Sequence, residues 1–485
     1  AATRCVADRL MEVWPPGTEA GTAAVAACMH AFARLDLVDD KAFARHAGLA
    51  YLPQVQTFSS SELVQFVAAL NYLGAVDEAW QVYARVQRVL PGSSANHELR
   101  SLLLGAAERG GNTARVLELY RHLAILPRVA SSSTWKEVLA FSAVLAVWQH
   151  TSTPAARHAR SVLAGSTRKG PVAAAIGHQV DGLLATPGES TVEMSPSKEA
   201  TKGVADLCAA LMRSSKLSTT GADKRKEFVM LRHVSMQAFP WDTADVLREL
   251  EAFAATQTFL KIAGGVKRKV LESATAKAPQ GLIVEIGTYV GYSSMVMASA
   301  REHAFHAAEK PRVITLELDP VNALVARCLV CMAGLSRHVE VWTGANEGFA
   351  TSLAKRFGPG SVAMLFMDHR GDCFHEDVRS FEARQLFADG ALVVADNVLK
   401  PGAPKFLWRL SNCDSFDVKV LQVPEFGLGH QSLEDWMVVA RYAAMSGTPP
   451  EYLPFPETIL RLGEECDAIR RRSLLARQGV KVPDW

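Results

Sequence analysis

The chain is short of several things, and each shortage narrows what it can be. It has 8 cysteines in 485 residues, too few for a disulfide scaffold. It has no excess charge of one sign: 52 Lys and Arg stand against 50 Asp and Glu, a formal net charge of +2. That balance gives no global case for binding nucleic acid, so any basic surface has to be local. No run approaches the roughly 18 apolar residues of a membrane span. The longest candidate, Leu139 to Trp148, is too short and is interrupted by Ser142. Hydrophobic residues make up 49% and charged residues 21%, which excludes a wholly disordered or collagen-like chain. The sequence opens on AATRC, without an apolar signal-like core. Localisation is therefore unknown from sequence: the cysteine usage predicts a reducing, intracellular setting, and an organelle stays open if a targeting segment precedes residue 1. At roughly 100–200 residues per domain, the length predicts two to four domains.

Only Cys328 and Cys331 lie close together, in NALVARCLVCMAGL. No second pair or matching His cluster follows, and the apolar pattern predicts a buried helix rather than a zinc or redox site.

Residues 1–165 are helical in pattern. AFARLDLVDDKAFARHA, ALNYLGAVDEAWQVYARV and AAERGGNTARVLELYRHL look alike, with a step of 38 residues from Val38 to Val76 and 37 from Tyr83 to Tyr120. A fainter fourth copy is TPAARHARSVL. One helical hairpin cannot bury its apolar face alone, whereas stacked neighbours can, so the period predicts an all-α helical-repeat region, a solenoid. The stretch TFSSSELVQFVAALNYLGAVDEAWQVYARV resembles octotricopeptide and pentatricopeptide helical repeats, although the PPxxW-like signature is absent. That resemblance implies single-stranded RNA as a partner. The residues themselves show no Lys/Arg stripe with interleaved aromatics, and leave a protein-binding or purely packing role equally open. Residues 166–203, rich in Gly, Ser, Pro and Thr, read as a flexible linker.

From residue 204 to about 445 the pattern becomes helical and then α/β. GLIVEIG, RVITLELD, HVEVWTG, VAMLFMD and GALVVADN are short apolar runs ending in glycine or a polar residue, separated by helical segments. Strands alternating with helices predict a parallel, doubly wound, Rossmann-like sheet. FDVKVLQV and DWMVVARY predict an antiparallel hairpin at its edge. Residues 446–485 form a C-terminal extension with one helix, whose Arg470–Arg472 triplet reads as a solvated face.

The chemistry gathers at the strand ends, where such sheets bind ligands. In VEIGTYVGYSS, Gly287 allows a tight turn and a close ligand. The spacing ExGxxxG departs from the dinucleotide pattern GxGxxG. Glu285 would repel a pyrophosphate but accept a hydrogen bond from an ammonium, which favours S-adenosylmethionine over NAD. Glu317, ending ITLELD, can take both ribose hydroxyls. Gly344-Ala345-Asn346-Glu347 closes the third strand, where an adenine could be flanked. Asp368 in LFMDHRGD and Asp396-Asn397 in VVADNVLKPGAP end two further strands. Two carboxylates and one amide oxygen suit a hard octahedral cation, Mg²⁺ foremost. Helix capping is the competing role, credible for Asp396 alone but poor for all three.

ExGxYxGYS, ITLELD, the Asp-His of FMDH and ADNVxxPGAP occur in that order. Over about residues 225–442 the chain resembles the catechol O-methyltransferase family. The resemblance implies Mg²⁺-dependent methyl transfer from S-adenosylmethionine to a hydroxyl of a small catechol-like acceptor. It implies Asp368, Asp396 and Asn397 as metal ligands. Ala263, Glu285, Gly287, Tyr289, Tyr292, Ser293, Glu317, Asn346, Asp368 and His369 would line the cofactor. Phe259, Arg370, Pro401 and Glu434 would line the acceptor slot, Glu434 accepting a hydrogen bond from an acceptor hydroxyl. The family's Trp-Lys pair after Asp-His is Arg370-Gly371 here, so its base lysine is missing. Lys400, directly before Pro401, is the nearest substitute. Phe259 stands for a gatekeeping tryptophan and Asp435 for a tyrosine. The alternative function is an RNA-binding helical-repeat protein with a degenerate or RNA-directed methyltransferase domain.

Overall fold

A computed structural model gives the fold. It describes residues 19–34, 41–91, 95–109, 115, 119, 226–239, 242–304, 313–335, 338–346, 348–429, 433–443 and 453–477. The fourth repeat-like segment, the Leu139–Trp148 run and the 166–203 linker lie outside the described residues.

The N-terminal helices are α1 (Glu19–Arg34), α2 (Lys41–Tyr51), α3 (Ser60–Tyr72), α4 (Val76–Val89) and α5 (Ala95–Arg109). At the start of α3, the Ser59 hydroxyl accepts from the Glu62 N–H, and the Glu62 carboxylate accepts from the Ser59 N–H. That reciprocal pair satisfies two donors the helix would otherwise orphan. Tyr51, Phe58 and Phe66 stack edge-on or tilted in the buried centre. The region is all-α, as the periodicity predicts, but a regular solenoid is not shown by these helices.

Next come α6 (Lys226–Gln237), α7 (Thr243–Thr256) and α8 (Val266–Lys277). The α/β alternation then runs β1 (Leu282–Ile286), α9 (Tyr292–Ala304), β2 (Val313–Glu317), α10 (Pro320–Met332), β3 (Val339–Thr343), α11 (Phe349–Phe357), β4 (Val362–Met367), α12 (Phe374–Ala383) and β5 (Phe387–Ala395). The chain closes with α13 (Pro404–Ser411), β6 (Phe416–Pro424), β7 (Glu434–Tyr442) and α14 (Glu457–Arg477). The seven strands are ordered β3-β2-β1-β4-β5-β7-β6. β1 to β5 are parallel; β7 runs antiparallel to β5, and β6 to β7. β1 to β4 are buried along their whole length, as parallel strands between helical layers must be. This is the Rossmann-like sheet with an edge hairpin that the strand pattern predicts. Cys328 and Cys331 are both buried in α10, a core helix. Among the described residues no helix is long and apolar enough to cross a membrane.

Strand order reverses between β1 and β4, which opens a crevice at their carboxyl ends. Gly287 sits there at φ 104°, and a Cβ on it would meet the Asp368 carbonyl oxygen at 2.5 Å. Only glycine fits this turn.

The N-terminal helices dock on the opposite edge of the sheet. Glu108 of α5 and Arg327 of α10 are both fully buried and pair at 3.0 Å. The same carboxylate accepts from the Thr343 N–H at 3.3 Å and its hydroxyl at 3.1 Å. Tyr72 of α3 lies against Gly348.

Candidate active site

Asp368 and Asp396 directly follow Met367 and Ala395, which are register partners on β4 and β5. Their backbone N–H groups continue the ladder, to Ile286 and Met367, both at 3.0 Å. The two carboxylates therefore leave neighbouring strands at the same rim, and Asn397 follows at φ 57°. Burial, then the charge of Asp396, hold the Asp368 carboxyl well above its ordinary range. Burial pushes Asp396 up to about 6, against the pull of Lys267.

Lys267, from α8, is the residue that sequence reading missed. Its ammonium is buried at 1% exposure and lies 2.9 Å from Asp396, 2.9 Å from Asp435 and 3.0 Å from Glu425. Burial alone would lower its pKa, but the three carboxylates outweigh that and raise it, so it stays an ammonium. Asn397 Nδ2 donates to Asp435 at 2.7 Å, leaving its amide oxygen as the acceptor. The second Asp435 oxygen, Oδ1, is buried without a hydrogen-bond partner.

The hairpin register decides which acids join this cluster. Glu434 pairs with Pro424 across the ladder and is exposed, its Oε1 accepting from the Trp436 indole at 2.8 Å. Alternation then turns Asp435 inward, to 1% exposure. Glu425, one residue beyond β6, supplies the other acid. Glu434, expected to accept from an acceptor hydroxyl, thus lies outside the Lys267 cluster, which Glu425 joins. Phe426 follows, its ring packed on Gly264 and Gly265 just after the buried Ala263.

Along the crevice, Glu317 is nearly buried at 8% exposure. Its two oxygens accept from the N–H groups of Tyr289 (2.7 Å) and Asp319 (2.8 Å). Burial nevertheless pushes its carboxyl up to about 7. Glu285 is buried within β1 and accepts from the hydroxyls of Ser293, Ser294 and Thr315; burial pushes it, too, up to about 7. Its partners here are these hydroxyls. Asn346 and His369 both bond Asp377 of α12, at 2.8 Å each, so one unanticipated carboxylate ties together two residues expected to line the cofactor. Tyr289, at φ 49°, donates its hydroxyl to Glu227 of α6 at 2.6 Å. The hydroxyl of buried Tyr292 bonds Glu251 of α7, and its pKa is raised by burial and by that carboxylate.

On the acceptor side, Phe259 is half-buried beneath the Lys226 ammonium, 5.6 Å from the ring centre. Pro401, half-buried, follows a cis peptide bond, and Lys400 is exposed. Arg370 is exposed and pairs with Asp372. Gly371 is buried, and a Cβ there would meet Arg470 Nη2 at 2.9 Å. Arg470 is therefore not part of a solvated face, although Arg471 is exposed.

A family model described as a methyltransferase domain matches residues 284–398. The catechol O-methyltransferase of Sus scrofa is 32% identical over 154 residues, covering 32% of this chain and 80% of that protein. The transmembrane O-methyltransferase of Propithecus coquereli is 30% identical over 197 residues, covering 40% of this chain and 70% of that protein. An O-methyltransferase from Bacillus cereus, solved in complex with SAH, shares 21% identity over 44% of this chain and 97% of its own, at a TM-score of 0.34. None of these supports an RNA or protein partner for the N-terminal helices. With such identity over most of two curated relatives, the chain belongs to the catechol O-methyltransferase family and is an S-adenosylmethionine-dependent O-methyltransferase.

Proposed function

We propose that the chain methylates one hydroxyl of a catechol-like small molecule and that it requires Mg²⁺. The observation that carries this reading is the gathering of Asp368, Asp396, Asp435 and Glu425 around the single ammonium of Lys267. Four carboxylates exceed one cation, two have raised pKa values, and Asp435 Oδ1 is an orphaned buried acceptor. Among the described residues no group of three His, Cys, Asp or Glu side chains is set to hold a metal, but the donor set here is two carboxylates and an amide. Asp368, Asp396 and Asn397 would hold the ion through hard oxygen donors.

Bound Mg²⁺ supplies charge that lowers the pKa of a nearby hydroxyl, and S-adenosylmethionine supplies an electrophilic methyl group. The chain's own residues position the reactants. Gly287 lets a ligand lie on backbone, Glu317 accepts from ribose hydroxyls, and Asn346 and His369 flank the adenine. Lys267 holds Asp396, Asp435 and Glu425 in place through its three ion pairs; as a fixed ammonium it takes no proton. Glu425, in place of Glu434, accepts from the acceptor's second hydroxyl, with Phe259 and Pro401 as walls. With glycine at 371, proton removal is assigned to Lys400 by position.

The test is methyl transfer from radiolabelled S-adenosylmethionine to catechol, with Mg²⁺ or with excess EDTA. Turnover should require Mg²⁺ and vanish in Asp368→Asn and Asp396→Asn. Undiminished transfer in EDTA would refute the metal. General bases contribute about 10²–10⁴-fold, so Lys400→Ala should lower kcat/KM by at least about 10²; an unchanged rate sends the proton to solvent.

A further inference from the structure

Helix α14 lies well past residue 398, where the family match ends, yet it reaches the acceptor side. Gly463, Cys466 and Arg470 are spaced i, i+3 and i+7, so they share one face. Each meets the body at a crowded point. Gly463 lies on Lys405, where an added Cβ would sit 3.1 Å from Cε. Cys466 is buried over Gly402, at φ 112°, where a Cβ would lie 2.8 Å from Sγ. Arg470 ends at Gly371, where a Cβ would be 2.9 Å from Nη2 and 3.1 Å from the Gly402 oxygen. Two positions without side chains, 371 and 402, thus receive two side chains of α14.

Arg470 also joins two loops. Its Nη2 donates to the Gly402 carbonyl, and Nη1 lies 3.7 Å from Asp372 and bonds Asp467 of its own helix. Gly402 ends the loop that carries Asn397 and Pro401. Asp372 ends the loop that carries Asp368 and Arg370. A forked guanidinium suits two such acceptors at once, as an ammonium does not.

We propose that Arg470 is a positioning residue for the acceptor: it fills the space a side chain at 371 would need and ties loops 368–373 and 397–403 together. The assignment deepens the catechol reading and rests on it for the identity of the acceptor. It also explains why residue 371 is glycine. A lysine there would displace the guanidinium rather than restore a base.

The test uses the full chain, with Arg470→Ala, Arg470→Lys, Gly371→Ala and the Gly371→Ala/Arg470→Ala pair. Kinetics with catechol and Mg²⁺ should show KM for catechol raised about tenfold in Arg470→Ala, the scale of one lost charge-assisted bond. The kcat and the S-adenosylmethionine affinity should change less than about threefold. Arg470→Lys should recover part of the loss. Gly371→Ala should reproduce it, and the double variant should be no worse than either single one, because both remove the same contact. Hydrogen exchange gives a readout independent of the acceptor. The Ala403 amide, bonded to Val398 O at 3.0 Å, and the Cys373 amide, bonded to Arg370 O at 3.0 Å, should exchange faster together in each variant. Additive losses in the double variant, or unchanged exchange at both amides in Arg470→Ala, would overturn the proposal. A parent that ignores catechol but shows the coupled exchange would refute the acceptor reading and leave the role of Arg470 supported.

Discussion

At the residue scale, two buried charges set measurable behaviour. Glu317 is raised to about 7, above the ordinary ~4.3 of the unfolded chain. Between those values the folded state holds the extra proton, so this group's effect on stability is a loss as pH rises from about 4 to 7. Ribose hydroxyls need the ionised form as acceptor. Affinity for S-adenosylmethionine should therefore rise with pH through about 7 and level off above it. Titration calorimetry of Glu317→Gln should show that slope flattened and the affinity reduced by about 1.5–3 kcal/mol, the worth of a hydrogen bond to a charged group. Equal affinity in the variant would remove Glu317 from the ribose site. Lys267 makes the opposite case, a cation whose partners cannot follow it out. Lys267→Met would strand Asp396 and Asp435 as buried carboxylates, at a cost of about 3–5 kcal/mol. Urea unfolding in metal-free buffer should show that loss, and added Mg²⁺ should offset part of it if the acids bind it.

At the element scale, the loop joining β6 and β7 carries Glu425, the acid proposed for the acceptor side, and Phe426. Phe426 leans on Gly264 and Gly265, where a Cβ at 264 would meet the ring at 2.5 Å. Leu428 N–H donates to Ala254 O at 2.9 Å, so the loop is tied to α7. Phe426→Ala should cost about 1–2 kcal/mol, since the ring is half-buried, and should weaken cofactor and acceptor binding together. Binding of either ligand unchanged would show that the loop only covers the sheet. Elements of this kind also mark what a sequence can and cannot tell. The five parallel strands were legible because each is a short apolar run closed by glycine or an acid, and Asp368 and Asp396-Asn397 were legible because they close two of them. The choice between Glu434 and Glu425 was not. It depends on a two-residue alternation and a turn length that fix which acid faces Lys267. Lys267 itself was hidden for a related reason. In VKRKV it reads as one of three surface cations, and the acids that justify its burial lie 129, 158 and 168 residues away in sequence. Arg470 was hidden likewise, because its helix packs on glycines about 70 and 100 residues earlier in the chain.

At the scale of the whole molecule, the methyltransferase sheet is braced from both ends of the chain. The C-terminal helix packs on Gly371 and Gly402, and the N-terminal helices reach the end of β3. Glu108 of α5 holds the backbone N–H of Thr343, the last residue of β3. The next residues, Gly344 to Asn346, form the loop assigned to the adenine, and Asn346 is fixed from its other side by Asp377. If that loop flanks the adenine as proposed, the N-terminal helices should contribute to cofactor affinity through one buried carboxylate. Glu108→Ala removes one partner of a fully buried pair, leaves Arg327 charged inside the protein, and should cost about 3–5 kcal/mol. It should also weaken S-adenosylmethionine binding several-fold, since the Thr343 N–H loses its acceptor and the loop beyond it loses its anchor. Asp77→Ala is the matched control. Its pair with Arg115 leaves Asp77 73% exposed, and surface pairs are worth about 0–1 kcal/mol. Urea unfolding and calorimetry on the two variants separate the outcomes. A stability loss in Glu108→Ala with unchanged cofactor affinity would make the N-terminal helices a support for the fold alone. Loss of both in Glu108→Ala, and of neither in Asp77→Ala, would make the N-terminal docking surface part of the cofactor site.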